Sequence, residues 1–234
     1  MANPLSRVKP KAALSVVSPT AMSERPTLAV KVAEVISIWS AIESEILSIA
    51  TDILDTDYVA VAAMLGALTS SEAKTAALVA AATEVLNRTD LALFNKVREA
   101  TKASRNRRNE FAHHIWMYSD DLPDALLLID PKYLSSFSAK RKRGIADLEQ
   151  AMAQKRVMAD GLKLFPIPEI DKSKIFVYRD KDLDTEVHYA QRAFKLHNQL
   201  RVWLKYDSLF GGSLSVAPRD QVLPELCELL QDQQ

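Results

Sequence analysis

The feature that most constrains the fold is an unbroken apolar stripe of helical period near the start of the chain, from Thr27 to Leu54. Placed at about 100° per residue, the apolar side chains of this segment share one face. They are Val32, Val35, Ile36, Trp39, Ile42, Ile46, Ile49, Ala50 and Ile53. Such a stripe predicts a long amphipathic helix that packs against other helices. Because only five glycines occur in 234 residues, turns for a many-stranded sheet are scarce, and we expect a mainly α protein.

The domain organisation follows from where this periodicity begins and where it is interrupted. Residues 1–25 contain Pro4, Pro10 and Pro19 among scattered serine and basic residues, which predicts a flexible N-terminal segment. Residues 26–234 are predicted to form one helical domain. Two short apolar runs, at 125–129 and 175–178, predict a small two-stranded β-hairpin within an insertion over about 120–180.

The charge balance and the single cysteine limit the classes of partner and the compartment. Lys+Arg and Asp+Glu are both 30, so affinity for nucleic acid would have to come from a local patch. No apolar run approaches the roughly 18 residues that a membrane span needs, so no membrane partner is predicted. Cys227 stands alone, which excludes an intrachain disulfide. We therefore expect a cytoplasmic protein.

Chemistry-bearing residues concentrate between Ser104 and Trp116. On one continuous helix from Asp90 to Trp116, four of them share a face with two earlier cations, at steps of three or four residues. These six are Arg98, Lys102, Arg105, Asn109, His113 and Trp116. Such a ladder of cations can follow a phosphate backbone, and the indole of Trp116 can stack on a base. The alternative is a solvated basic face without a ligand.

Arg108 falls on a different side of the same helix, among its apolar packing positions. A permanently charged guanidinium at such a position needs an anionic partner. Glu43 is the one acid that falls inside the apolar stripe of the first long helix, where a carboxylate either meets a cation or lies at the edge of an interface and reaches water. We therefore predict contact between Arg108 and Glu43.

His113 is the residue best suited to proton transfer, because the unperturbed pKa of an imidazole, about 6.5, lies near neutrality. It could remove the proton of a ribose 2′-OH while an arginine stabilises the charge at phosphorus. The alternative is a histidine that caps the end of its helix. His114 points about 100° away and is interpreted as structural or secondary, with Arg107 or Glu110 as a partner along the helix.

No spacing of metal ligands and no cofactor-binding motif is found. Adjacent histidines on a helix cannot both turn toward one metal, and no HExxH sequence is present. The chain also lacks a Walker loop, a GxGxxG sequence and a GxSxG elbow. We predict no metal and no cofactor.

The residues from Arg108 to His113, RNEFAH, resemble the motif of the HEPN superfamily, which has Arg, four to six residues, then His, most often with a polar residue after Arg. The earlier Trp39-Ser40-Ala41-Ile42-Glu43 resembles the first core helix of that family with its acid. The resemblance covers roughly residues 27–116 and the late helix over 182–206. One branch of the family is silenced by a nucleotidyltransferase partner, and its members have a Tyr two positions after the His. Ile115 stands at that position here, so the resemblance does not imply this partner.

The resemblance implies an antiparallel helical bundle that dimerises about a two-fold axis and brings two Arg/His motifs into one cleft. Many members are metal-independent endoribonucleases of toxin-antitoxin or antiviral systems, and others are inactive binding modules. It implies that Arg108 stabilises the transition state, His113 acts as base or acid, Asn109 assists, and Glu43 supports the arginine.

Two functions are expected, and a third is considered and set aside. The first is a homodimeric RNase of toxin or phage-defence type, with RNA, a second copy and an antitoxin protein as partners. The second is a catalytically inactive dimeric module that binds nucleic acid or protein through the same basic face. A sequence-specific DNA regulator would need a helix-turn-helix, which is not found. The basic run Lys140 to Arg143 is interpreted either as a further RNA contact or as a solubilising loop.

Overall fold

The computed structural model describes residues 2–13, 20–153, 168–210, 223 and 225–226 and is mainly helical, which confirms the predicted fold class. Residues 14–19 of the N-terminal segment and Cys227 lie outside these ranges. The helices in the described ranges are α1 (Leu5–Val8), α2 (Ala21–Glu24), α3 (Pro26–Leu54), α4 (Tyr58–Gly66), α5 (Ser71–Val85), α6 (Arg88–His113), α7 (Pro131–Ala153) and α8 (Asp180–Phe210). Among them, no helix combines the length and the apolar character that crossing a membrane would require.

Short polar side chains start the middle helices by accepting hydrogen bonds from exposed backbone amides. Asp57 Oδ1 accepts from two amides at 2.8 and 3.2 Å ahead of α4, and Ser70 Oγ accepts from one at 3.0 Å ahead of α5. The cap of α6 is Asn87, whose Oδ1 accepts from two amides at 3.0 Å. Asp90, the residue expected to start this helix, instead accepts a hydrogen bond from Trp203 Nε1 at 2.8 Å.

The strands form one antiparallel sheet of four strands in the order β1-β4-β3-β2. They are β1 (Asn3–Pro4), β2 (Ile115–Met117), β3 (Ala125–Ile129) and β4 (Ile175–Arg179). The predicted hairpin pair, β3 and β4, is confirmed, with Leu127 opposite Val177. The two outer strands were not predicted, because segments of two and three residues are too short to show an alternating pattern.

The start of the chain belongs to this sheet, whereas the sequence predicted a flexible segment over residues 1–25. Strand β1 pairs with β4, and Leu5 is completely buried. Lys9 Nζ donates to the carbonyl of Asp121 at 2.8 Å, and Lys172 Nζ donates to the carbonyls of Pro10 and Ala12 at 2.7 and 2.8 Å. These long-range contacts order a segment whose sequence alone has little tendency to fold.

The chain divides into two compact units, where the sequence predicted one domain over residues 26–234. The sheet unit comprises Met1–Ala33 and Asn109–Thr185, and the helical unit comprises Glu34–Arg108 and Glu186–Gln234. The core of the sheet unit contains Leu5, Met117, Leu122, Leu127, Ile129, Ile175 and Val177. The core of the helical unit contains Ile49, Ile53, Val61, Leu65, Leu93, Val97 and Leu200.

Candidate nucleic-acid interface

The predicted ladder is present on α6 for five of its six residues. Helix α6 runs without interruption from Arg88 to His113, so these five fall within about 80° around its axis. They are Arg98, Lys102 and Arg105 in the helical unit, then Asn109 and His113 in the sheet unit. Lys102, Asn109 and His113 are exposed, and the other two are half-buried. In the helical unit this face of α6 therefore carries cations, and in the sheet unit it offers an amide and an imidazole to solvent.

The first two cations of this face are held by neighbours on their own helix. The Arg98 guanidinium lies over the Phe94 ring at 5.7 Å and donates to Asn95 Oδ1 at 3.0 Å. Lys102 Nζ lies 3.5 Å from Glu99 Oε1. Partial burial, with the charge of Arg105 added, lowers the pKa of Arg98 from its ordinary value. The positive charges of Arg98 and Arg105 therefore lie close enough along this face to repel each other.

Arg108 forms the predicted ion pair within the helical unit. Its Nη2 lies 3.0 Å from Glu43 Oε1, which confirms the expected contact. The Arg108 side chain is 19% exposed and that of Glu43 is 59% exposed, so of the two alternatives for this acid the structure has the glutamate at the edge of an interface. Glu43 lies at the border of the apolar stripe of α3, where water can solvate the carboxylate. The acid therefore positions the arginine at little desolvation cost to itself.

Replacing Glu43 with Gln should lower the free energy of unfolding by no more than about 1 kcal/mol, because half-exposed ion pairs are screened by water. A double-mutant cycle with Arg108→Gln, measured by urea unfolding, isolates the coupling of the pair. Glu45→Gln on the same helix is a comparison, since Glu45 Oε2 faces Arg201 Nη1 at 3.5 Å instead. A coupling above about 3 kcal/mol would mean that the pair is effectively buried.

A second arginine of the same stretch is paired with an acid that the sequence analysis missed. Arg107 Nε lies 3.3 Å from Glu186 Oε1, whose side chain is only 8% exposed. The signal was present in α8, because Glu186 stands within the packing positions Leu183, Val187 and Ala190. Arg107 therefore contacts a buried acid of α8 within the helical unit.

Trp116 does not continue the ladder, because α6 ends at His113 and Trp116 lies on β2. Its Nε1 donates to the carbonyl of Phe111 at 3.0 Å. The rings of Phe111, Trp116 and Tyr178 meet edge to face, with centroids 5.1, 5.3 and 5.8 Å apart. The three rings, here called the aromatic cluster, fix the indole within the sheet unit, so it is not presented beside His113 on the helix face.

The two adjacent histidines differ in exposure. His113 is the last residue of α6 and is exposed, whereas His114 is half-buried and its backbone amide donates to the Glu110 carbonyl at 2.8 Å. An exposed imidazole at a helix end is accessible to a polymer substrate, and Asn109 precedes it by about one turn. Of the two histidines, His113 therefore has the accessibility that proton transfer to a ligand requires.

A third histidine, His197, is buried in the helical unit and was not singled out by the sequence. Its Nδ1 lies 2.8 Å from the Ala193 carbonyl, and its ring meets Trp39 edge to face at 6.5 Å. Trp39 Nε1 in turn donates to Ser104 Oγ at 3.1 Å, on α6. Burial, with a smaller effect from the charge of Arg105, lowers the pKa of His197 below its ordinary value. His197 therefore supports α6 from the core as a neutral imidazole.

This burial predicts a loss of stability on mild acidification. Because the folded-state pKa of His197 is lowered, the unfolded chain takes up a proton more readily below about pH 6.5. The free energy of unfolding should fall as the pH drops through that value, by at most about 1.4 kcal/mol per pH unit for this group. Urea unfolding between about pH 5.5 and 8 measures the slope, at pH values where ordinary carboxylates stay ionised.

The matched controls are two substitutions on α8. His197→Gln should flatten the slope, whereas His188→Gln, at an exposed position, should leave it unchanged. Equal slopes in all three proteins would show that His197 does not couple folding to pH.

No family model, curated protein or solved structure matches the chain. Among the described residues, no group of three or more His, Cys, Asp or Glu side chains is placed to hold a metal ion.

Proposed function

We propose that the protein is a metal-independent endoribonuclease of the HEPN type that acts as a homodimer. The observation that carries the proposal is the exposed face of α6, on which His113 follows Asn109 and the cations of the ladder. A general base, a polar orienting group and fixed positive charge are what cleavage of RNA by its own 2′-OH requires. The resemblance of residues 108–113 and of Glu43 to the HEPN pattern supports the same activity.

In the proposed reaction, His113 accepts the proton of a ribose 2′-OH as the 2′-oxygen attacks the adjacent phosphorus. The bond from phosphorus to the 5′-oxygen breaks, and that oxygen leaves with a proton from water or from a second imidazole. The products are a 2′,3′-cyclic phosphate and a 5′-hydroxyl. Asn109 orients the phosphate or the imidazole, and Arg108 stabilises the negative charge that grows on the phosphate oxygens.

The proposed dimer answers a geometric difficulty on α6. Arg108 and His113 are five residues apart in one helix, so they point about 140° away from each other. One copy of the helix therefore cannot direct both side chains at the same phosphate. In a two-fold dimer, Arg108 of one copy acts beside His113 of the other. A toxin or phage-defence role in the cytoplasm, restrained by an antitoxin protein, completes the proposal.

The second candidate is a catalytically inactive dimeric module that binds nucleic acid or protein through the same face of α6. Arg108 favours this candidate, because it is 19% exposed and already paired with Glu43. An arginine held in this way contributes to the fold whether or not it reaches a phosphate.

Incubation of the purified protein with RNA in the presence of a chelator separates the two candidates. Cleavage that leaves 2′,3′-cyclic phosphate ends supports the endoribonuclease, and binding without cleavage supports the inactive module. Expression of wild type and of His113→Ala in bacteria then tests the toxin role, since only the wild type should arrest growth. Arrest by neither protein contradicts the toxin role and leaves the ribonuclease chemistry to the test in vitro.

A further inference from the structure

Helix α7 of the sheet unit carries an unbalanced cluster of positive charge. Between Pro131 and Ala146 the sequence contains five cations and no acid, in a chain whose formal net charge is zero. These cations are Lys132, Lys140, Arg141, Lys142 and Arg143, and all five are exposed. The run of four, interpreted from the sequence as an RNA contact or a loop, lies on a helix.

The last four cations lack the carboxylate partner that several other cations of the described residues have. Within the described residues, Lys9, Lys31, Arg107, Arg179 and Arg201 each lie within 4 Å of a carboxylate. The four cations from Lys140 to Arg143 make no ion pair with any other described residue. Lys140 and Arg143 are three residues apart and therefore neighbours on the helix surface, where like charges are mildly destabilising and a bound anion would relieve the repulsion.

The helix geometry arranges part of this cluster in a line. Lys132, Ser136, Lys140 and Arg143 fall within about 80° around α7 and extend over about 16 Å of its axis. Ser136 is exposed like the three cations and adds a hydroxyl donor between them. A row of this length matches several successive phosphates of a nucleic-acid strand and exceeds what a single small anion could occupy.

The other side of α7 argues against a membrane surface as the partner. Tyr133 and Leu134 pack against the core of the sheet unit, and Phe137 and Ile145 are half-buried. The one large apolar side chain of α7 that is strongly exposed, Met152, lies more than two turns beyond Arg143. A helix that lies on a bilayer needs an exposed apolar face next to its cations, and α7 lacks one.

We propose that the row formed by Lys132, Ser136, Lys140 and Arg143 on α7 binds the phosphate backbone of single-stranded RNA. The proposal rests on the proposed function in so far as the strand is taken to be the substrate of His113. Binding through phosphates is independent of sequence, so α7 contributes affinity and does not select the cleavage site.

The test uses the full chain and a fluorescent 2′-O-methyl oligonucleotide of about 20 residues, which keeps the phosphates but has no 2′-OH to attack. The variant Lys140→Gln/Arg143→Gln removes two cations of the row. The matched control Lys74→Gln/Lys181→Gln removes two exposed lysines on α5 and α8. Circular dichroism verifies that helix content is unchanged in both variants.

We expect the α7 variant to bind the oligonucleotide roughly tenfold more weakly at moderate salt, with the control within about twofold of wild type. The slope of log K against log salt should decrease in magnitude by about 1.4, since each lost phosphate contact to a single strand removes about 0.7. Equal weakening in the two variants, or no weakening in either, would overturn the proposal. So would binding of wild type to phosphatidylserine vesicles but not to the oligonucleotide.

The outcomes also separate this inference from the proposed function. If oligonucleotide binding depends on α7 but RNA is never cleaved, the RNA-binding role of α7 is supported and the ribonuclease assignment is contradicted. If RNA is cleaved with the same KM by wild type and the α7 variant, the ribonuclease assignment is supported and the RNA-binding role of α7 is contradicted.

Discussion

Replacement of His113 by alanine is expected to slow RNA cleavage by about 10³-fold while leaving the fold unchanged. General acid–base catalysis contributes typically 10²–10⁴-fold, and no other exposed imidazole shares the α6 face within the described residues. The side chain is exposed, so its removal leaves no cavity and should change stability by less than about 0.5 kcal/mol. Initial rates on a labelled RNA and thermal unfolding measure the two quantities.

The adjacent His114 is the matched control for this prediction. It has the same chemistry one residue away but is half-buried and points to another side. His114→Ala should therefore retain cleavage within about tenfold, the effect of a small displacement near the site. Equal losses in the two variants would indicate a structural effect of the helix end, and an unaffected His113→Ala would remove His113 from the mechanism.

The largest effect on stability is expected from Phe111→Ala, within the same motif. Phe111 is 2% exposed and contacts both other rings of the aromatic cluster. Truncation of a buried phenylalanine to alanine typically destabilises by about 3–5 kcal/mol, because it leaves a cavity and removes the edge-to-face contacts. Equilibrium urea unfolding followed by circular dichroism measures the change.

Phe176→Ala is the matched control, because it removes the same side chain from the same unit at a position that is 41% exposed. It should lower the free energy of unfolding by less than about 1 kcal/mol. A loss in Phe111→Ala no larger than that of the control would mean that the aromatic cluster does not support the sheet unit.

The long helices and one strand pair were predictable because their signals are local. An apolar side chain every three or four residues specifies which face of α3 and α6 is buried, whatever packs against it. The same periodicity placed Arg108 among apolar positions and Glu43 inside an apolar stripe, so their contact followed from the need to compensate charge. The apolar runs of β3 and β4 were long enough to indicate strands.

Other features depended on neighbours that are distant in the chain. Strand β2 and the end of α6 at His113 exist because β3 offers an edge to residues 115–117, and this pairing carried Trp116 off the helix face. Strand β1 exists because β4 offers the opposite edge. Short segments of this kind adopt extended structure only when a partner strand satisfies their backbone groups.

The sequence by itself determined the mainly helical class, the apolar stripe around Arg108, and the row of polar side chains from Arg98 to His113, because helical period acts within one segment. Only the tertiary structure decided that Glu43 stays exposed, that Glu186 is buried against Arg107, and that Trp116 packs with Phe111 and Tyr178. Burial depends on which side chains from distant parts of the chain pack around a residue. The position of a residue in the sequence does not specify those neighbours.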